Sequence, residues 1–446
     1  MHEKLIPRSP LGEALLSVQQ QFEASQWWPP EQMQRHQFHR LAVLLQHAFE
    51  TVPFYRDRLA VVGYQPGDTI DEDLWTRIPI LTRRDVKTIG ERLASTKIPP
   101  EHGSVHSLVT TGSTGSPVKV LKTDLEQLFW HGAHLRDHLW HCWDPRGKLA
   151  IIRIHQPELA PYPDGRRLAD WGPPLSHVFA TGPAILLDFR TTTAQQAEWL
   201  LREEPDYLLS FPSIVRELAL HFRDKGLRPL RLKGVRTVSE VVRADLRELC
   251  SEAFGVRPVD VYSAAETGFL ALQCPEREHY HVVSESVIVE VLDDRGKPCE
   301  PDQVGTVVVT PLHNFAMPLI RYEIGDLARM GSTCPCGRGL PVIAEIMGRT
   351  RDMFILPSGD RRYAFFGLLS FSEFRDILQS QLVQKSLHEL EVRLVARQQL
   401  SPADEANLRA KFAAVLGPEV VVTLSYHEQI PRTLDGKYFD FVSELR

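Results

Sequence analysis

Apolar and polar positions along this chain follow two periods, and the period changes with position. Between 31 and 60 the apolar residues Phe38, Leu41, Leu44, Leu45 and Phe49 recur at three- and four-residue intervals, an amphipathic stripe that predicts a helix ended by Pro53. Thr82 in IPILTRRDV stands where it can cap the next helix. From about 105 to 310, short apolar runs alternate with helix-period segments. LAIIRI (149–154), AILLDF (184–189), DYLLSF (206–211) and VDVYSA (259–264) predict buried strands, while 193–204, 214–226 and 244–255 predict helices. That alternation points to an α/β domain with a largely parallel sheet. VIVEVLDD (287–294) and GTVVVTPL (305–312) flank a DRGKP turn and predict an antiparallel pair. Towards the C-terminus, strands at 388–396 and 419–427 around a helix at 404–417 predict a small, separate α+β domain.

Composition narrows the class without naming it. The 446 residues carry 51 basic and 57 acidic side chains, a formal charge of −6, and are 43% hydrophobic and 24% charged. Such a chain is globular, not intrinsically disordered. With a pI near 6.3 it offers no basic stripe for nucleic acid. No segment approaches the ~18 apolar residues of a membrane span. The opening MHEKLIPRSPLGEALL lacks the apolar stretch of a secretory signal, so a soluble, cytoplasmic protein with no membrane partner is expected.

The candidate chemistry lies in short polar motifs. SLVTTGSTGSPVKV (107–120) sets hydroxyls and glycines between apolar stretches. Glycines allow close backbone approach, and the N–H and hydroxyl groups can surround an oxyanion such as a triphosphate. The Walker A order is not satisfied, and a Ser/Gly hairpin turn fits the segment equally well. VYSAAETG (261–268) offers the Tyr262 ring to a purine and the Glu266 carboxylate to Mg²⁺. RYEIGDLARM (321–330) puts Asp326 after Gly325 in a loop, suited to ribose hydroxyls. GRTRD (348–352) supplies Arg349, and PRTLDGKYF (431–439) puts Lys437 in a polar loop. Taken singly, a core tyrosine, a capping aspartate and a solvated lysine would explain them.

In order, TTGSTGSPVKV, YSAAETG, RYEIGD, GRTRD and PRTLDGK resemble the successive core motifs of the adenylate-forming superfamily. With WWPPEQMQ, LLQHAFETVPFYRDRL, IPILTRRDV and EPDYLLSFPS added, the chain looks most like the phenylacetate–CoA ligase and CapK-like branch, over nearly its whole length. The resemblance implies the α/β adenylate-forming enzyme fold: a large N-terminal α/β domain over 1–347, a hinge at 348–352 and a small mobile C-terminal α+β lid over 353–446. It implies that Thr111, Gly112, Ser113, Thr114 and Gly115 wrap the ATP β- and γ-phosphates. Ser239 and Glu240 would lie at the adenine and the neighbouring substrate pocket. Tyr262 would stack on adenine, Asp326 would bind the ribose diol with Arg349 nearby, and Glu266 would ligate Mg²⁺. Lys437 would arrive from the lid to bridge the carboxylate and the α-phosphate.

The activity implied is ATP-dependent formation of an acyl-adenylate and pyrophosphate, with transfer of the acyl group to CoA. An amine, hydrazine or carrier-protein thiol is the alternative acceptor, and a catalytically inactive nucleotide-binding paralogue is a third reading. Ser116 stands where the branch usually has Lys, Ser263 where it has Gly, Ala265 where it has Ser or Thr, and Arg351 where an acidic residue is usual. The stretch FILPSGDRRYAFFGLLSFSEF departs from the branch in the region that forms the acceptor tunnel. Branch members are often dimeric, so a homodimer is a further expectation, although no interface is legible.

Two constellations remain. Cys274, His279 and His281 precede Cys334 and Cys336, and three thiolates with one imidazole would complete a closed, structural zinc site. Reduced, unliganded cysteines are the plainer reading. The branch places its His seven residues after the first Cys, which selects His281 over His279. For the acid, the resemblance implies a pocket of Trp130, Ala133, Phe211 and Ala264, with Gly132 as a floor suited to an aryl or small hydrophobic acid; for most of the residues of helix 124–143, a Trp-rich amphipathic core helix is the preferred reading. His131, His134, His138 and His141 share one helix face and are expected to form a solvated stripe, not a second metal face.

Overall fold

The computed structural model describes residues 5–445 except 110–117, 154–157, 230, 351–352, 364–373, 375 and 434–435. They form two compact units. The first comprises Met1–Arg146, Ala169–Gly182 and Val261–Ile346, the second Gly147–Leu168, Pro183–Asp260 and Met347–Arg446.

The first unit opens with helices Pro10–Ser25, Pro30–Thr51 and Pro53–Val61. Pro53 ends one helix and begins the next, because its missing N–H is harmless only in a first turn. Leu41, Leu44 and Leu45 of the predicted stripe are fully buried. Thr82 caps Arg83–Ile89 with a reciprocal capping box, in which the Asp85 carboxylate accepts from the Thr82 N–H at 2.9 Å. The cap fixes Arg83 in the first helical turn. Strands Val105–Val109 and Lys119–Thr123 pair in an antiparallel ribbon. The helix Asp124–Trp140 follows, capped by Thr123.

Behind these lie strands in the order Val287–Leu292, Val304–Pro311, Tyr322–Met330, Val342–Arg349, Tyr280–Val282 and Gly268–Gln273. The expected antiparallel pairing of 287–292 with 304–311 is present. Residues 261–264 of the strand Pro258–Ala264 pair antiparallel with Gly268–Gln273.

In the second unit Leu149–Arg153 pairs in parallel with Ala184–Asp188 on one side and Tyr207–Ser210 on the other. Gly234–Thr237 and the start of Pro258–Ala264 extend this parallel set, and Arg166–Leu168 pairs antiparallel at its edge. Helices Thr193–Glu203, Pro212–Lys225 and Ala244–Phe254 supply the crossovers, as the alternating pattern predicts. Ile152, Leu187, Trp199, Leu208, Phe222 and Val235 form the core between strands and helices. The C-terminal part of this unit has its own sheet, in the order Val421–Tyr426, Glu389–Ala396, Ile377–Ser386 and Phe441–Ser443. Helix Pro402–Leu416 buries Leu408, Phe412 and Leu416 against Leu390, Val392 and Leu394. No described helix is long and apolar enough to cross a membrane.

Candidate active site and metal centre

Two of the nucleotide candidates meet directly. The Tyr262 hydroxyl donates to Asp326 Oδ2 at 2.8 Å, and both residues are buried. Asp326 is not in the loop expected from Gly-Asp; it lies inside the strand Tyr322–Met330. The pairing to Val304–Pro311 breaks register between Thr306 and Val308, opposite a longer stretch, Glu323 to Leu327. Gly325, at φ +82°, carries this bulge, which no side-chain-bearing residue would adopt without strain. A bulge is how a strand re-aims one side chain, here towards Tyr262.

Glu266 follows the same strand end as Tyr262. Its Oε1 accepts from Arg83 Nη1 at 2.7 Å, with the carboxylate side chain only 10% exposed. Arg83 is a neighbour that the motif reading did not single out; its only sequence signal is its place directly after the helix-capping Thr82. The loop residues Thr111, Gly112, Ser113, Thr114 and Gly115 lie outside the described residues, as does Arg351.

The remaining candidates belong to the second unit. Ser239 is exposed and sits at φ +72°, and the side chain of Glu240 beside it is buried. Glu240 accepts from the Ser213 N–H at 3.0 Å and from the Tyr438 N–H at 2.8 Å, with Arg432 3.7 Å away. Burial pushes its carboxyl above the usual range, with Arg432 opposing. Arg432 also pairs with Glu217 at 2.7 Å. The loop bearing Lys437 is therefore held from both sides: through Glu240, and through its own turn, in which the Lys437 N–H donates to Thr433 Oγ1 at 3.1 Å. A Cβ on Gly436 would meet the Phe189 ring at 3.0 Å, so this turn presses directly on the parallel-sheet part of the unit. Arg349 ends the strand Val342–Arg349 and is half-buried.

Of the four acid-pocket candidates, Trp130 and Ala133 line one cavity of about 320 Å³, mouth included, with Glu126, Phe129, Thr267, Gly268, Phe269 and His313. Ala264 pairs with Gly268 across the hairpin but does not line the cavity. Phe211 is buried in the core of the second unit. Gly132 is not the floor: a Cβ there would lie 2.6 Å from Val18 Cγ1, so it marks the close crossing with helix Pro10–Ser25. Gly268 does line the cavity, and a Cβ there would come 3.8 Å from the Trp130 ring.

The histidine stripe is likewise not solvated. His138 is 2% exposed and packs against Trp171 and Phe179, and His134 packs against Phe269. The helix is covered on more faces than its periodicity shows.

The cysteine constellation does converge. Ligand atoms of Cys274, His279, His281 and Cys334 lie within 4.8 Å of one another, the one such group among the described residues. Cys274 and Cys334 Sγ are 3.9 Å apart, and Cys336 Sγ is 3.4 Å from His281 Nε2. Tetrahedral zinc sets ligand atoms roughly 3.3–3.8 Å apart, so these spacings fit the ion. His281 Nδ1 faces the Leu340 carbonyl at 3.4 Å, which leaves Nε2 as its ligand atom. His279 Nε2 is buried with no hydrogen-bond partner among the described residues. Five donors thus stand around a four-coordinate site. Burial pushes the Cys274 thiol up and Cys334 to about 12, while at Cys336 the Arg338 N–H and guanidinium outweigh burial and hold the thiol below its ordinary value.

Residues 370–444 match the family model described as the CapK C-terminal domain. Among solved structures, 2-hydroxyisobutyryl-CoA ligase in the postadenylation state with 2-HIB-AMP superposes at a TM-score of 0.74, with 21% identity, over 94% of this chain and 91% of that one. The fold is that of the adenylate-forming enzymes. The chain is 29% identical over 340 residues to phenylacetate-coenzyme A ligase of Thermus thermophilus, covering 74% of this chain and 73% of the relative. It is 27% identical over 335 residues to the Pseudomonas putida enzyme of the same name, covering 73% and 72%. Over about three quarters of its length, the chain is thus similar to phenylacetate–CoA ligases.

Proposed function

We propose that the protein is an AMP-forming acid–CoA ligase: it joins a carboxylic acid to ATP as an acyl-adenylate, releases pyrophosphate and passes the acyl group to CoA. The observation that carries this is the Tyr262–Asp326 pair beside Glu266, at the positions of the nucleotide motifs. Tyr262 offers its ring to the adenine and Asp326 accepts from the ribose hydroxyls. A carboxylic acid is ionised at neutral pH, so attack on the α-phosphorus needs no general base. What it needs is alignment and cations where charge builds on the phosphate oxygens. Lys437 supplies one. The family resemblance gives Arg349 and the loop 111–115 nucleotide-binding roles as well.

Mg²⁺ would be held by Glu266 and would neutralise phosphate charge. Arg83 already pairs with this carboxylate at 2.7 Å, so Mg²⁺ would have to share or displace that contact. Zinc would be held by Cys274, His281, Cys334 and Cys336, closed to substrate and therefore structural, tying the 274–281 and 334–340 segments together.

The test is acid-dependent conversion of ATP to AMP over a panel of aryl and short aliphatic acids, with and without CoA, and with products read by mass. AMP with an acyl-CoA product is the expected result. AMP without CoA consumption would move the acceptor to an amine or a carrier thiol. No AMP from any acid would remove the ligase assignment.

A further inference from the structure

The helix Pro212–Lys225 begins without a side-chain cap of its own, because its N-cap residue is Phe211. The Ser213 amide in its first turn therefore takes an acceptor from elsewhere in the chain. Glu240, just beyond the strand Gly234–Thr237, supplies it: Oε2 accepts from the Ser213 N–H at 3.0 Å. This also sets a carboxylate at the positive end of the helix. The other oxygen, Oε1, accepts from the Tyr438 N–H at 2.8 Å, one residue past Lys437. A single carboxylate thus ties the backbone beside Lys437 to a helix whose Ile214, Val215 and Leu218 are buried in the core.

The same helix meets the C-terminal part of the unit at further points. Ser213, Arg216 and Glu217 share one face, at three- and four-residue spacing. Arg432 donates to Ser213 Oγ at 2.5 Å and to Glu217 Oε1 at 2.7 Å. Gln379 Nε2 donates to the same Glu217 oxygen at 2.9 Å, and Arg216 donates to the Leu378 carbonyl at 2.7 Å. Arg432 also lies 3.7 Å from Glu240, with the two side chains only 13% and 9% exposed. Charge-assisted contacts sheltered from water in this way hold geometry better than an exposed pair does.

The Lys437 turn is closed internally by Thr433, which fixes its shape but not its place. Place matters, since misplacing a catalytic group by about 1 Å costs roughly 10² in rate. We propose that Glu240 is a positioning residue for adenylation: its carboxylate sets the Lys437 turn on helix Pro212–Lys225, with Arg432 as cationic partner, instead of touching the nucleotide. This rests on the ligase reading above and on the role given there to Lys437.

The experiment follows Glu240→Ala and Glu240→Gln through three readouts. These are acid-dependent pyrophosphate release, thioester formation from pre-formed acyl-adenylate and CoA, and hydrogen–deuterium exchange of the 436–440 backbone. In Glu240→Ala, kcat for pyrophosphate release should fall about tenfold or more, with the KM for ATP within about twofold and thioester formation much less affected. Glu240→Gln keeps one acceptor oxygen and should recover part of the loss. Exchange at 436–440 should quicken. In a Lys437→Ala background, Glu240→Ala should cost nothing further, because a residue acting through Lys437 has nothing left to position. A raised KM for ATP with kcat preserved would make Glu240 a nucleotide contact and overturn the proposal. So would equal loss in both half-reactions, additive losses in the double variant, or unchanged exchange. Glu240→Gln carries the test if the alanine variant fails to fold. No AMP from the wild type with any acid would remove the ligase reading and the adenylation role with it; faster exchange would then still uphold the tie between Glu240 and the turn.

Discussion

The roles proposed for Lys437 and Glu266 concern different parts of the same charge problem, and their substitutions should separate. Lys437 lies on a turn closed by Thr433, so Lys437→Ala removes a cation without disturbing the backbone that presents it. Adenylation should fall by about 10² or more, while transfer from pre-formed acyl-adenylate to CoA falls much less. Equal loss in both half-reactions, measured by pyrophosphate release and thioester formation, would contradict the role given to it. Glu266→Gln keeps the shape and removes the charge. The Mg²⁺ concentration for half-maximal rate should rise about tenfold; an unchanged metal titration would release Glu266 from that role.

His313 gives a pH prediction. Burial, with help from Arg40, holds it far below its usual value, against the opposing hydrogen bond to the Glu285 carbonyl. The folded protein keeps it neutral, whereas the unfolded chain takes up a proton below pH ~6.5. Its contribution is therefore present above pH 6.5 and is lost as pH falls towards about 3, by up to ~1.4 kcal/mol per pH unit. His313→Phe should flatten that limb in urea titrations between pH 6.5 and 4.

The helix Asp124–Trp140 links the two centres of the first unit. Its first half lines the aromatic cavity, and Trp140 at its end meets His281 edge to face at 5.8 Å. Between them, Arg136 is buried with Glu285 at 2.7 Å, and Glu285 is also engaged by Ser25. Gly132 is where this helix comes nearest to Pro10–Ser25. Gly132→Ala should destabilise by about 1–3 kcal/mol, because the added methyl meets Val18. Pairing it with Val18→Ala should restore much of the loss. If the double variant is no more stable than the sum of the single ones, the contact is not what makes Gly132 necessary. From sequence, Gly132 could be a pocket floor or part of a core helix, because periodicity gives the apolar faces of a helix but not their partners; its contact with Val18 decides for the core. For the same reason the histidines looked solvated, although aromatic rings from elsewhere in the first unit cover them.

The proposed zinc would be a property of the assembled first unit, since Cys274 and His281 are far from Cys334 and Cys336 in the chain. Elemental analysis should find about one zinc per chain, and chelation should lower the melting temperature. Cys334→Ser should lose the metal. Zinc retained in His279→Ala but lost in His281→Ala and Cys336→Ser would assign the four ligands as proposed; zinc lost only with His279 would exchange the histidines. In the second unit, the ties from Arg432 to Glu217 and from Arg243 to Asp440 join the C-terminal part to the parallel-sheet part. Both are partly buried ion pairs.

The sequence alone determined the elements and the order of the motifs. Hydrophobic period, proline position and capping residues act within a few residues of one another, so the α/β alternation, the Pro53 break and the Thr82 cap were all legible. Ordered motifs likewise marked Tyr262, Glu266, Asp326 and Lys437, because their spacing survives without knowledge of the fold. Only the tertiary structure decided what each side chain faces. Asp326 reaches Tyr262 through a bulge, which depends on register with another strand. Phe211 went to a core and Gly132 to a helix crossing. Arg83 came to Glu266 from 183 residues away. Lys122 and Glu126 belong to no motif, yet packing buries them together beside Trp130. Burial sets the energy of a charge, and burial is fixed by packing between segments that no local pattern records.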